Sequence, residues 1–139
     1  MKTHLFTTIT GAVKNFYGTI PGVTKVAYHS RYQDPVKFSQ MLLDLYDFLK
    51  PKIRLHILDA IVAMEGNGPT WGKPKKTNLL LISDDGIALD WVLARLIGID
   101  PGLVPTLNSV SLTPPEIIGL PLPVAMINDF QPPEANTVT

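Results

Sequence analysis

Apolar residues recur at helical spacing after Asp34-Pro35: Phe38, Met41, Leu42, Leu45, Tyr46 and Leu49. That spacing puts one hydrophobic face on a helix. Asp34 suits the N-cap, Pro35 suits the first helical position, and Lys50-Pro51 ends the helix. Ile53 to Asp59 starts as alternation and becomes uniformly apolar, which predicts a strand entering a sheet. Ala60 to Met64 either extends that strand or turns. Glu65-Gly66-Asn67-Gly68-Pro69 reads as a loop, and Lys73 to Lys76 continue it on the surface. Asn78 to Ser83 is a continuous apolar run, the pattern of a strand covered on both faces. Ser83, Asp84 or Asp85 then caps a helix running to about Ile97. Ala88, Leu89, Val92, Leu93 and Leu96 face inward on it, and Gly98 is its stop. Leu122 to Ile127 predicts a last strand, pushed toward an edge by Pro121 and Pro123. Near the start, Ile9 to Phe16 reads as a short helix or structured loop, and Val23 to Tyr28 as a strand.

Strand, helix, strand, helix is the grammar of an α/β fold. The expected architecture is a single domain over residues 1–130, with a mainly parallel or mixed sheet flanked by helices. Residues 131–139 read as a proline-containing tail or linker.

Composition narrows the function. The 139 residues are 45% hydrophobic, enough to build a core. With no cysteine, the chain offers no disulfide, no thiolate metal site and no ligand for an iron–sulfur cluster. The formal net charge of zero is a cancellation: residues 1–76 carry +6 and residues 77–139 carry −6. Such a split marks either an internal seam or an anion-facing half. No basic run with interleaved aromatics occurs, so no nucleic-acid role is expected. No apolar run reaches the length of a membrane span. The first ten residues make a weak signal peptide, and the expected location is cytoplasmic.

Candidate chemistry gathers in a few places. In open α/β sheets, ligands collect beyond the carboxyl ends of strands. Asp59 sits in apolar surroundings. Glu65 and Asn67 offer an acceptor and an amide on glycine-rich chain, and Asp84 and Asp85 read first as helix caps. Asp90 lies within a helix beside Trp91, and the sequence leaves open whether it is solvated. Lys14, with Thr8 and Thr10 near it, is suited to hold a phosphate or carboxylate as a point charge. His4 and His29 would join a site only if the fold converged them, whereas His56 reads as a structural residue in a strand. A divalent metal is an alternative ligand, although no histidine pair has metal-binding spacing. Phosphate-loop, dinucleotide-binding and nucleophile-elbow motifs are absent.

Several segments carry a family resemblance. They are Lys2-Thr3-His4, Thr10-Gly11-Ala12-Val13-Lys14-Asn15 with Gly18, Pro21-Gly22 and Lys25, and His29. Asp59, the Glu65-to-Pro69 segment with Gly72, and Asp84 through Asp90 complete the set. Over roughly residues 1–130 their order and spacing resemble domain-of-unknown-function family 362, whose members are often described as iron–sulfur-centre proteins. The resemblance implies a ferredoxin-like module in the parent protein as partner. Four-iron clusters would be held there and not by this chain, which would be a fragment lacking the upstream half of the family domain. It singles out His4, Lys14, Asn15, His29, Asp59, Glu65, Asn67 and Asp90 as ligand-binding candidates. The placing of lysines and histidines around glycine turns is also similar to the nickel-pincer lactate racemase family, at the level of fold analogy. The expected function is binding of a small anion or metal within a redox protein. Two alternatives stand beside it. One is a small-molecule enzyme using Lys14 with His29 or Glu65. The other is a docking scaffold, one that forms a homo-oligomer, suggested by the charge split and by Tyr17, Tyr28 and Tyr32, expected to be exposed.

Overall fold

The computed structural model describes residues 1–108, 110 and 113–134. Two short strands open the chain. β1 (Lys2–His4) and β2 (Thr8–Thr10) pair antiparallel, with Thr3 opposite Ile9. On its other side β1 runs parallel to β3 (His56–Asn67), which forms a long antiparallel hairpin with β4 (Trp71–Ser83). The described residues thus form one mixed sheet in the order β2-β1-β3-β4. Five helices accompany it: α1 (Ala12–Asn15), α2 (Gly22–Arg31), α3 (Pro35–Leu49), α4 (Gly86–Leu96) and α5 (Leu122–Ala125). The α/β class and the mixed sheet agree with the sequence reading.

Local chemistry sets the helix boundaries. Asp34 caps α3 by accepting from the Lys37 amide at 2.9 Å. Asp85 caps α4 by accepting from the Ile87 and Ala88 amides at 2.8 and 3.1 Å. Both carboxylates satisfy first-turn N–H groups that have no partner within the helix.

Five local readings need correction. Glu65 to Asn67 are the end of β3 and not a loop, since they pair with Lys73, Gly72 and Trp71. Lys73 to Lys76 lie in β4 and not in a loop, because the ladder continues through them, with Lys75 opposite Ala63 and Lys73 opposite Glu65. Asn78 to Ser83 is a strand, yet only one of its faces is covered: Leu80 and Ile82 are 59% and 58% exposed. Val23 to Tyr28 belongs to helix α2. It has no neighbour in the sheet, and the helix satisfies its backbone internally, from Lys25 N to Pro21 O at 3.0 Å through Tyr32 N to Tyr28 O at 2.9 Å. Leu122 to Ala125 is a single helical turn and not a strand. Pro121 precedes it, and Pro123 sits in its first turn, where a missing N–H costs nothing.

Two apolar cores meet at α1. The inner face of the sheet supplies Leu58 and Ala63, which pack with Ile9, Leu89, Leu93, Ala94 and Ala12. The second core joins Phe38, Met41, Leu42 and Tyr46 of α3 to Val13 and Tyr17. Adjacent residues of α1, Ala12 and Val13, therefore enter different cores. This fixes α1 from two sides. In contrast α2 has no buried residue, and Val23 and Val26 are exposed.

Candidate functional site

The organising contact is Asp90. It is fully buried on α4, and its two carboxylate oxygens accept from the Ala12 and Val13 amides at 2.6 and 3.0 Å. Those amides start α1, whose N-cap residue Gly11 has no capping side chain. Asp90 therefore caps α1 from another element, 78 residues along the chain. Burial raises its pKa from 3.8 to about 7, against the lowering pull of the two N–H bonds. Gly11 is required for this approach: a Cβ there would fall 2.0 Å from Asp90 Oδ1 and 2.9 Å from Leu93 Cδ2.

Locked this way, α1 presents Lys14. Its ammonium lies 5.1 Å from the ring centroids of both Tyr17 and Phe38. His29 of α2 stacks on Phe38 at 5.0 Å, and its ring edge meets Tyr17 at 5.3 Å. Phe6 closes the group, 6.4 Å from both His4 and His29. The result is an aromatic cage carrying three nitrogen groups, His4, Lys14 and His29. Sequence spacing alone did not bring these three together.

The electrostatics of the cage are one-sided. Burial first, then the charges of Lys2 and Lys25, lower Lys14 from 10.5 to about 8. Burial, followed by Lys14, Lys2 and His29, lowers His4 from 6.5 to about 3. Burial and then Lys14 also lower His29. No carboxylate forms an ion pair with Lys14 among the described residues. The rings receive the ammonium through their π faces, which is weaker than an anionic partner. His4 Nδ1 accepts from the Phe6 amide at 3.1 Å. A neutral imidazole in that state carries its proton on Nε2 and can donate it.

A cavity of about 380 Å³ lies beside α1, lined by Lys2, Thr10, Gly11, Asn15, Phe16 and His56 among others. Asn15 belongs to this cavity. Thr10 Oγ1 and His56 Nε2 are buried with no hydrogen-bond partner among the described residues. The His56 ring packs on Phe16 and Tyr46, and a Cβ at Gly86 would stand 3.1 Å from its Nε2. Packing on this scale fits the structural role expected for His56.

The remaining candidates lie elsewhere. Glu65 and Asn67 are in β3 near the hairpin turn, and they hold the chain's own backbone. Glu65 Oε2 accepts from the Gln131 amide at 3.0 Å, and Asn67 Oδ1 accepts from the Glu134 amide at 2.9 Å. Gly66 N donates to Gln131 O at 2.8 Å. Lys75 is 3.9 Å from Glu65 and 2.5 Å from Asp129. Residues 131–134 are thus tied to the hairpin, while 135–139 lie outside the described residues. Asp59 is not in an apolar pocket. Strand alternation turns it to the exposed face, where its Oδ1 accepts from the Ile61 amide at 2.9 Å. Asp90 proves buried and not solvated. Among the described residues no group of three or more His, Asp or Glu side chains converges as a metal site would.

Sequence reasoning missed the walls of the cage, Phe6, Tyr17 and Phe38; Tyr17, expected on the surface, is buried against Phe38 and Val13. Phe38 carries the helical spacing of a core residue, and nothing in that spacing tells a core ring from a site ring. Lys2 and Lys25 appear only within the segments that carry the family resemblance.

The comparisons bear on the same segments. The family described as domain of unknown function (DUF362) matches residues 1–95, which include the cage, Asp90 and the whole wall of the 380 Å³ cavity. The thylakoid-associated protein sll1697 of Synechocystis sp. (strain ATCC 27184 / PCC 6803 / Kazusa) is 39% identical over 108 residues, covering 77% of this chain. The chain spans about a third of that relative's length, since the match covers 33% of it. No solved structure matches. No helix among the described residues is long and apolar enough to cross a membrane.

Proposed function

Since the chain belongs to the domain-of-unknown-function family DUF362, we propose that it is the anion-binding part of a larger redox protein. Its site is the Lys14 cage. The observation that carries this reading is a half-buried ammonium flanked by Lys2, Lys25 and His29, with no carboxylate to balance it. An oxyanion entering the cage would accept from Lys14 Nζ and from the His4 Nε2–H, and would relieve the mutual repulsion of the cations. A small phosphate or carboxylate fits better than a divalent metal, because the cage holds no carboxylate and is already positive.

The electron-transfer association rests on the resemblance alone. In this proposal a ferredoxin-like module of the parent protein holds the four-iron clusters, and the present chain supplies the ligand site. The alternative of an independent enzyme using Glu65 as acid or base is less favoured, because Glu65 is engaged by Gln131 and Lys75. For location, the cytoplasmic expectation stands as part of the proposal. The relative's name ties that protein, and not this one, to thylakoids.

The test is calorimetric titration with inorganic phosphate and with small mono- and dicarboxylates. At least one should bind to the wild type with a 1:1 stoichiometry. Lys14→Met should weaken that binding tenfold or more, the scale of one charge-assisted hydrogen bond. Binding that is indifferent to Lys14→Met, or no binding at millimolar concentration, overturns the reading.

A further inference from the structure

Residues 57–62 of β3 and 79–82 of β4 place apolar side chains on both faces, but α1 and α4 cover only one. On the other face Leu55, Ile57, Ile61, Val62, Leu80 and Ile82 are each more than half exposed. The register makes them one patch: Ile57 stands opposite Ile82, and Leu80 opposite Asp59. Six aliphatic side chains exposed to that degree present on the order of 600 Å² of apolar surface, the upper end of what monomers leave in contact with water. A stable interface takes roughly 800 Å² from each partner, so this patch supplies most of one side.

We propose that this sheet face pairs with the same face of a second copy of the chain. The charges on the face argue for a copy as the occupant. Within residues 57–62 of β3 and 76–82 of β4 the face carries one acid, Asp59, and one base, Lys76, both exposed, and exposed Asp84 lies at its far end beside Leu55. Lys76 stands opposite Val62, three residues along β3 from Asp59. They are therefore offset by about 10 Å along the strands at ~3.3 Å per residue. A two-fold axis between them lays each Asp59 over the partner copy's Lys76, so that an isologous contact forms two ion pairs within an apolar surround. Two faces packed this way form a sheet-on-sheet layer, the ordinary arrangement for such surfaces. Neither side chain makes a salt bridge within its own chain among the described residues; the Met1 ammonium donates to the Asp59 carbonyl at 2.8 Å.

Sedimentation across a concentration series, on the intact chain, tests the proposal. The wild type should be a dimer at micromolar concentration. Ile82→Asp should be monomeric with an unchanged circular dichroism spectrum, since Ile82 is already in water in the lone chain. Asp59→Lys and Lys76→Asp should each weaken dimerisation tenfold or more, and the double reversal should restore it. A monomeric wild type overturns the proposal, including one that instead binds lipid vesicles or a longer protein. A dimer that survives Ile82→Asp, or charge reversals without rescue, overturns it as well. The anion site is read separately by titration and does not depend on this outcome.

Discussion

Two polar clusters stand out in this chain, and they differ in how fully their groups are satisfied. At the hairpin end, Glu65 and Asn67 each accept an amide from the segment at Gln131 to Glu134, and Lys75 faces both Asp129 and Glu65. Glu65, Lys75 and Asp129 there each have a partner supplied by the fold. At the cage, Lys14 has ring faces and other cations around it, and no acid pairs with it among the described residues. Groups that close a structure find their partners within it, whereas groups held apart from partners are available to a ligand. The glycine-rich chain at residues 65–69 carries the conventional look of a ligand loop, yet it is the closed cluster of the two.

The largest test of this contrast addresses what holds the cage open. Asp90→Ala leaves the Ala12 and Val13 amides buried without an acceptor, which should cost about 3 kcal/mol and lower the melting temperature by roughly 10 °C. Chemical denaturation of Asp90→Ala against Asp90→Asn, which keeps one acceptor oxygen, measures this. Asp90→Asn should fall between the wild type and the alanine variant. An alanine variant as stable as the wild type would mean that α1 is not held from α4.

A middle-sized effect follows from Lys14. Its pKa is about 8 in the folded chain against 10.5 when unfolded, so holding its charge opposes folding. The cost is fully present below about pH 8 and is relieved as pH rises toward 10.5, because the unfolded chain binds more protons in that window. Without added anion, Lys14→Met should therefore be more stable than the wild type at pH 7, by about 1–2 kcal/mol after allowance for solvent screening. The gap should close between pH 8 and 10.5. Thermal melts at both ends of that range measure it, and a gap independent of pH contradicts the account.

The smallest effect belongs to the closed cluster. Glu65→Ala removes one bond to the Gln131 amide and should cost about 1 kcal/mol, with no change in anion binding. Loss of binding on this substitution would move the site to the hairpin and reverse the contrast.

Much of the fold was legible where short-range signals agreed. Asp34-Pro35 and Asp85 marked their helices because a cap is a local event. The hairpin was misread because Lys73 to Lys76 look like surface loop, and only pairing with Ala63 and Glu65 makes them strand. Val23 to Tyr28 carries strand-forming residues, but no sheet neighbour pairs with it. Of the site, the residue types were legible and the grouping was not. His4, Lys14 and His29 converge through the path of α2, and Asp90 acts on α1 through a contact spanning 78 residues. Neither leaves a periodic trace. Asp59 was misplaced because apolar neighbours in a strand say nothing about which face a residue takes.

The most direct test is one titration on three chains: the wild type, Lys14→Met and Glu65→Ala, each with inorganic phosphate and the same carboxylates at pH 7. The account predicts that at least one of these anions binds equally to the wild type and Glu65→Ala, and tenfold or more weaker to Lys14→Met. Equal binding by all three, or loss in Glu65→Ala alone, would contradict it.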